Sequence, residues 1–169
     1  MKLDKNEIDA LKTLLSNPSN RRNKTLESLF DRIDGGDDIS LYIDGAADLH
    51  SKTAGIGGII YRNNDELISF SEYLDDATNN EAEYTALIRG LEHLIALGQL
   101  SAQIFSDSEL VVKQINGQYR VKNPRMQKLY NQAVALFNQL EQYTFSHVLR
   151  DKNTVADKLA NAGRALGKK

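Results

Sequence analysis

The segment LYIDGAAD, residues 41–48, alternates apolar side chains with Tyr42 and Asp44 before it reaches a glycine. Leu41 and Ile43 therefore share one face of a predicted strand, whereas Tyr42 and Asp44 share the other. Asp44 comes near the carboxyl end of this strand, which is the edge where open α/β sheets commonly bind ligands. The rest of the fold is predicted around this strand.

Downstream of this strand, the periodicity predicts an α/β domain. Strands over 55–62 and 67–74 complete an antiparallel meander. The remaining predicted elements are a helix from about Asn80 to Leu97, a strand over 102–106, helices over 108–116 and 125–141, a strand over 143–149 and a closing helix over 154–166. A meander followed by a β-α-β unit predicts a mixed five-stranded sheet with helices against it.

Residues 1–38 are predicted to form a separate helical appendage, and residues 39–169 the main domain. Two stretches at helical spacing predict a helical hairpin: Ile8, Leu11, Leu14 and Leu15, then Leu26, Leu29 and Phe30. Three roles stay open for this hairpin: packing on the main domain, binding an unknown partner, and contacting nucleic acid through its cations. Packing is the favoured interpretation.

The composition limits the function classes. A chain of 169 residues with 41% apolar side chains can bury one main core, and we expect it to act as a monomer. It contains neither a membrane-crossing stretch nor a secretory signal, so a cytoplasmic location is expected. The absence of cysteine excludes disulfides and thiolate zinc sites and leaves Mg²⁺ or Mn²⁺ as the candidate metals.

Four acids lie where a predicted strand ends or a helix begins: Asp44, Glu83, Asp107 and Asp157. One such carboxylate is typically a helix cap or a turn residue, but four in separate segments indicate a divalent-metal site. Glu83 is chosen over Glu81 because it continues the apolar stripe that faces the sheet, whereas Glu81 is interpreted as favourable charge in the first helical turn. Paired divalent ions suit phosphodiester hydrolysis.

The charge is unevenly distributed. The net charge is −2, yet residues 110–140 contain no acid. The same segment carries Lys113, Arg120, Lys122, Arg125 and Lys128, with Tyr119 and Tyr130 among them. This basic strip suits a phosphate backbone laid against one face, and a solvated helix surface is the alternative.

Four ordered segments carry a resemblance to a known family. They are IDGAA (43–47), NNEAEYTALIRGLEHL (79–94), SDSELVVKQINGQYRVKNPRM (106–126) and HVLRDKNTVADKLAN (147–161). In this order and spacing, residues 40–166 strongly resemble the type 1 ribonuclease H family, especially its compact bacterial and archaeal branch. The resemblance implies a ribonuclease H-like fold and metal-dependent endonucleolytic hydrolysis of the RNA strand of an RNA/DNA hybrid.

The resemblance also assigns the catalytic residues. The family's four acidic metal-ligand positions, which hold two Mg²⁺ or Mn²⁺ ions with substrate bound, fall on Asp44, Glu83, Asp107 and Asp157. His147 matches the family's mobile histidine, proposed to assist proton transfer or product release. Arg150 competes for that task because the following loop would bring it toward the phosphate, and a structural role for a histidine on a strand is the alternative.

The predicted substrate contacts are Asn79, Asn80, Ser108, Lys113 and Asn153, together with Arg150. Asn79 and Asn80 resemble the family's pair that grips the hybrid from the minor-groove side, where RNA shows its 2′-hydroxyls. Plain helix capping by Thr78, Asn79 or Asn80 is the alternative, and the two roles are compatible. Asn153 matches a position that supports the flexible loop, and a turn or N-cap residue is its alternative.

Two departures from the family pattern predict weak or less processive hybrid binding. Residues 48–53 are bulkier and more charged than the family's Gly-Asn-Pro-Gly type turn. Residues 1–38 lack the aromatic side chains of the family's N-terminal hybrid-binding module. Two other functions therefore stay open: a nuclease of the same fold without hybrid preference, and a non-catalytic nucleic-acid-binding module.

Overall fold

The computed structural model describes residues 3–27, 29 and 37–167. The chain divides between Asp37 and Asp38 into two units. In the first unit, helix α1 spans Lys5–Leu15, a turn of 3₁₀ helix follows at Pro18–Arg21, and residues 24–27 are helical. Phe30, which the predicted hairpin includes, lies outside the described residues.

One five-stranded sheet organises the second unit. Its strands are β1 (Ile39–Asp48), β2 (Thr53–Arg62), β3 (Asp65–Asp75), β4 (Ser101–Ser106) and β5 (Gln142–His147). Their order is β3-β2-β1-β4-β5, in which β1 pairs antiparallel with β2 and parallel with β4. The outer pairs are antiparallel for β2 and β3 and parallel for β4 and β5. The predicted mixed sheet is confirmed.

Helices cover both faces of this sheet. They are α2 (Asn79–Ala96), α3 (Glu109–Ile115), α4 (Pro124–Phe137) and α5 (Thr154–Ala165). Helix α2 packs on the face that carries Leu41 and Ile43, and α5 packs on the face that carries Asp44. None of the helices in the described ranges is both long enough and apolar enough to span a bilayer.

Helix α4 is shorter than predicted. Instead of reaching Glu141, it ends at Phe137. The backbone N–H of Glu141 donates to the carbonyl of Leu100 at 2.8 Å, and β5 then pairs in parallel with β4 from their first residues. The hydrogen bond between Glu141 and Leu100 therefore begins the pairing of β5 with β4, and it replaces the last helical turn that the sequence pattern predicts.

Strand β5 is also shorter than predicted. It ends at His147 rather than Leu149, and a turn of 3₁₀ helix follows at Arg150–Lys152. The N–H of Val148 donates to the carbonyl of Ser106 at 3.0 Å. Ser106 is the last residue of β4. Beyond that bond the neighbouring strand has ended, so the chain has no ladder to continue.

Glycine lets α5 lie directly against the sheet. A Cβ atom at Gly57 would be 2.3 Å from the backbone nitrogen of Ala160, and one at Gly163 would be 2.4 Å from the carbonyl oxygen of Glu72. Neither position accepts a side chain unless the helix moves. Gly57 is the register partner of Asp44, so this close approach sets the distance between α5 and the strand that carries Asp44.

Replacing Gly57 by alanine is expected to lower the free energy of unfolding by about 1–3 kcal/mol, because the added methyl group overpacks against α5. Chemical denaturation followed by circular dichroism measures the change. Ser69→Ala, at an exposed position of β3, is the matched control and should stay within about 0.5 kcal/mol of the wild type. Equal effects of the two substitutions would contradict the close approach.

Candidate metal centre

Three carboxylates meet where β4 ends beside β1. Strand β1 itself continues past Asp44 to Asp48 along β2, so the prediction that Asp44 lies near the end of its strand is wrong. One oxygen each from Asp44, Glu83 and Asp107 lies within 4.8 Å of the other two. Ile43 and Ser106 are partners in the parallel ladder, so the residues that follow them, Asp44 and Asp107, lie side by side. Glu83 reaches the same point from the second turn of α2. Strands β1 and β4 are therefore parallel neighbours, which brings their two carboxylates together.

Gly45 allows the start of α2 to lie against β1. A Cβ atom there would be 2.3 Å from the carbonyl carbon of Ala82 and 2.4 Å from the nitrogen of Glu83. The backbone of Gly45 also lies close enough to the Glu83 carboxylate to offset part of the rise in its pKa that burial causes. A capping box fixes the beginning of the helix, because Thr78 Oγ1 accepts from the Glu81 N–H at 3.2 Å and the Glu81 carboxylate accepts from the Thr78 N–H at 2.8 Å.

The three carboxylates lack the donors that would normally accompany buried acids. Asp44 and Glu83 are 2% and 8% exposed, and the Asp107 side chain is 6% exposed. One buried oxygen of each, Asp44 Oδ1, Glu83 Oε2 and Asp107 Oδ2, has no hydrogen-bond partner in the described part of the chain. A buried acceptor without a hydrogen bond lowers the stability of the fold by about 1–3 kcal/mol, and by more if it is charged. This cluster therefore requires a proton or a cation.

The electrostatics agree with this requirement. Burial, followed by the charge of Asp107, raises the pKa of Asp44 to about 8. Burial, followed by the charge of Asp44, raises the pKa of Glu83 well above its ordinary value. The cluster therefore retains a proton near neutral pH unless a cation replaces it. All of its ligand atoms are carboxylate oxygens, which fits Mg²⁺ or Mn²⁺.

Asp157 lies apart from these three acids. It is not among the carboxylates whose oxygens lie within 4.8 Å of one another in the described chain. Its charge nevertheless contributes to the raised pKa of Asp44, so it faces the cluster from the start of α5. Asn161 donates to Asp157 Oδ1 at 3.3 Å. The structure thus brings three of the four predicted acids together and places the fourth beside them.

His147 and Arg150 both lie near Asp107. His147 is exposed at the end of β5 and is the register partner of Ser106. Arg150 Nε is 3.7 Å from Asp107 Oδ2, and the Arg150 side chain is 83% exposed. Arg150 is therefore placed on the rim of the cluster with most of its guanidinium facing solvent, while the roles of both residues stay predictions.

Asn153, one of the predicted substrate contacts, is buried at the start of α5. It is 2% exposed, and its Nδ2 donates to the carbonyl of Ile43 at 2.9 Å. It occupies the N-cap position of α5 without making a side-chain cap bond. Asn153 therefore fastens α5 to β1 one residue before Asp44, and its predicted contact with substrate stays a prediction. Nothing local in the sequence signals a bond between residues 110 positions apart.

Asn79 and Asn80 are exposed in the first turn of α2. Asn79 Oδ1 accepts from the backbone N–H of Ala47 at 2.8 Å, so its side chain joins the helix to β1. Thr78 occupies the N-cap position, as the capping alternative allowed. Asn80 is left at the surface one turn before Glu83.

Ser108 and Lys113 are engaged within the protein. Ser108 Oγ accepts from the Val111 N–H at 3.4 Å and caps α3. Lys113 Nζ is 2.6 Å from a Glu109 carboxylate oxygen and donates to the Tyr119 hydroxyl at 3.3 Å. Part of the positive charge predicted for substrate contact is therefore balanced by an acid just before the basic strip.

The family model described as Reverse transcriptase-like matches residues 42–163. Bifunctional protein Rv2228c of Mycobacterium tuberculosis is 39% identical over 120 residues, which is 70% of this chain and 33% of that protein. Ribonuclease HI of Halobacterium salinarum is 31% identical over 129 residues, covering 76% of this chain and 65% of that protein. The chain thus spans about a third to two thirds of the length of these curated relatives.

Solved structures of ribonuclease H domains are also similar to this chain. The N-terminal RNase H domain of Rv2228c superposes with a TM-score of 0.74 and 35% identity, covering 78% of this chain and 96% of that one. LC11-RNase H1, solved in complex with an RNA/DNA hybrid, superposes with a TM-score of 0.72 and 33% identity, covering 78% of this chain and all of that one. The range that the family model matches, residues 42–163, contains all four predicted acids.

Raising the pH is expected to destabilise the metal-free protein. The folded-state pKa of Asp44, about 8, exceeds its ordinary value of 3.8. The bound proton therefore stabilises the fold fully below about pH 4, and this contribution is lost as the pH rises through about 8. Thermal unfolding with a chelator measures the pH dependence. Asp44→Asn should flatten it, whereas Glu141→Gln, at an exposed acid, should not. Equal pH dependences in all three proteins would argue against the buried cluster.

Divalent ions should reverse this loss. At about 100 times its dissociation constant, Mg²⁺ or Mn²⁺ is expected to add about 2.7 kcal/mol to the free energy of unfolding. The rise in melting temperature with metal concentration measures the effect. Asp44→Asn should remove most of the rise and Glu141→Gln none of it. The same rise in both variants would place the metal elsewhere.

Proposed function

We propose that this chain, which belongs to the type 1 ribonuclease H family, hydrolyses the RNA strand of RNA/DNA hybrids with divalent ions held by its acidic cluster. The observation that carries the proposal is the convergence of three buried carboxylates at the edge of the sheet, each with an oxygen that accepts no hydrogen bond within the described residues. A monomeric state and a cytoplasmic location stay predictions.

In this proposal, Asp44, Glu83 and Asp107 hold a divalent ion, and Asp157 helps to hold a second when substrate is bound. Divalent ions at such a site activate a water molecule and stabilise the attacking and leaving oxygens of a phosphoryl displacement. The chain contributes preorganisation, because packing fixes all three carboxylates before any ligand arrives. Mutual repulsion of the acids favours any cation over an empty site.

The choice of an RNA/DNA hybrid as substrate has support from the surface near the cluster. LC11-RNase H1, a structural neighbour, was solved with such a hybrid. Asn79 and Asn80 are exposed one turn before Glu83, where side-chain amides suit 2′-hydroxyls and base edges. Arg120 and Lys122 are exposed in the basic strip, which suits the second strand's phosphates.

We assign the residues on the rim of the cluster to proton transfer and phosphate contact. His147 ends the strand next to the one that precedes Asp107, so its imidazole is proposed to move protons or assist product release. Arg150 is proposed to turn from Asp107 toward a substrate phosphate, because its present ion pair is long and exposed.

A nuclease without hybrid preference is the second candidate function, and the β1–β2 loop favours it. This loop, residues 48–53, replaces the compact family turn. Leu49 is 71% exposed. The backbone of Lys52 has a φ of 54°, which costs conformational energy in any residue other than glycine. A bulky loop of this kind weakens close contact between the backbone and the RNA strand. A non-catalytic binding module has less support, because it has no use for unpartnered buried acids.

Cleavage of an end-labelled RNA/DNA hybrid tests these functions against one another. The same assay includes double-stranded RNA, double-stranded DNA and both single strands, each with Mg²⁺, Mn²⁺ or chelator. Metal-dependent cutting of the hybrid's RNA strand alone is the expected result. Comparable cutting of single strands would favour the second candidate. Hybrid binding without cleavage under any metal would favour the binding module.

Asp107→Asn is expected to lower the cleavage rate by more than about 100-fold, the upper limit for residues that only support a metal ligand. Hybrid affinity should change by less than about threefold, because phosphate contacts rather than the cluster supply most of the binding free energy. Single-turnover cleavage and fluorescence anisotropy measure the two effects. Glu66→Gln, at an exposed acid of β3, is the control. A fully active Asp107→Asn would rule out its role as a metal ligand.

A further inference from the structure

Glu81 is a buried acid of α2 that does not belong to the metal cluster. Its Oε2 accepts from the Thr78 N–H at 2.8 Å and closes the capping box. Its Oε1 is 2.8 Å from Arg125 Nε, which comes from the second residue of α4. The carboxylate therefore links the beginnings of two helices that are distant in the chain. The sequence predicted only that its charge stabilises the first turn of its own helix.

The ion pair is strongly asymmetric. The Glu81 side chain is 11% exposed, whereas the Arg125 side chain is 71% exposed. The contact uses Nε, so most of the planar guanidinium faces solvent. A guanidinium has donors in a fixed fork and can serve a carboxylate on one edge and a phosphate oxygen on another.

Arg125 lies where two parts of the proposed substrate surface meet. Upstream of it, Arg120 and Lys122 are exposed and line a cavity of about 500 Å³ together with Tyr119 and Tyr130. Residues 110–140 contain no acid, so the carboxylate that fixes Arg125 comes from outside the basic strip. On the α2 side, Glu81 directly follows the exposed pair at residues 79–80.

We propose that Glu81 is a positioning residue that holds the Arg125 guanidinium for contact with a phosphate of the substrate backbone. This inference rests on the proposed function and deepens it by naming one phosphate contact and the residue that orients it. An exposed arginine without a partner samples many rotamers, and ordering it during binding lowers affinity. The buried carboxylate removes that loss by fixing the guanidinium in the free protein.

The substitution Glu81→Gln distinguishes positioning of Arg125 from long-range electrostatic attraction of the hybrid. The amide oxygen of glutamine can still accept from Thr78, so the capping box and Glu83 should stay in place, while the ionic link to Arg125 is lost. The substitution changes the net charge from −2 to −1, so long-range attraction alone predicts tighter binding of the hybrid. We expect the opposite: KM for hybrid cleavage should rise about tenfold, as for loss of one charge-assisted contact, with kcat unchanged.

Glu92→Gln is the matched control. It makes the same change of charge on the same helix and removes an ion pair with Arg89, whose Nη1 is 3.1 Å from Glu92 Oε2. Its KM should stay unchanged or fall slightly. Steady-state cleavage and anisotropy of a labelled hybrid without catalytic metal measure the two variants, and thermal unfolding checks that both are folded.

Arg125→Gln provides an independent variant at an exposed position. It should raise KM as much as Glu81→Gln does and lower the salt dependence of hybrid binding by about one unit of slope. The double variant should be little worse than either single variant, because the two side chains act as a unit. Additive effects would show that the residues act separately and would overturn the positioning role.

The outcomes distinguish this inference from the proposed function. A wild-type chain that binds and cleaves the hybrid, with equal KM values for Glu81→Gln and Glu92→Gln, would overturn this inference alone. A fall in kcat at unchanged KM would overturn it in favour of support for Glu83. A wild-type chain that does not bind the hybrid would overturn the proposed function and this assignment together.

Discussion

The repulsion among three buried carboxylates is the constraint on which the rest of the site depends. Asp44, Glu83 and Asp107 lie close together, and burial with the neighbouring negative charges raises the pKa values of Asp44 and Glu83. Each of the three carboxylates keeps a buried oxygen that accepts no hydrogen bond within the described residues. Such a cluster destabilises the fold by itself, because burial removes water and the neighbouring Arg150 side chain, 3.7 Å from Asp107 Oδ2, stays mostly in solvent. The fold tolerates it because the surrounding sheet and helices are tightly packed. The stored unfavourable energy becomes affinity when a divalent ion binds.

Close packing holds these acids in place more than hydrogen bonding does. Gly45 admits the first turns of α2 to β1, and Gly57 admits α5 to β2. Asn153 then ties the start of α5 to the backbone of β1 beside Asp44. Gly45 follows Asp44 in the chain, Gly57 pairs with Asp44 in the sheet, and Asn153 bonds to the residue before Asp44. Small residues therefore have a functional effect here, because they set where the charged side chains stand.

The electrostatic design separates two tasks. The acidic cluster at the sheet edge attracts cations, whereas the strip over residues 110–140 contains no acid and suits phosphates. The Glu81–Arg125 pair joins the two regions, because its buried acid belongs to the helix of Glu83 and its exposed cation to the strip. A surface ion pair between freely moving side chains contributes little to stability. With one partner fixed by burial, the pair instead determines where a positive charge is presented.

The sequence by itself determined the mixed sheet and the identity of the clustered acids. Alternation placed Asp44 on the face of β1 opposite Leu41 and Ile43, and the helical stripe selected Glu83, because both signals depend only on the period of a regular element. Tertiary structure alone decided three other features: the offset of Asp157, the burial of Asn153, and the partner of Glu81. Each of these depends on contacts between segments far apart in the chain. Periodicity fixes the direction of a side chain, but it does not specify which residue the fold brings to meet it.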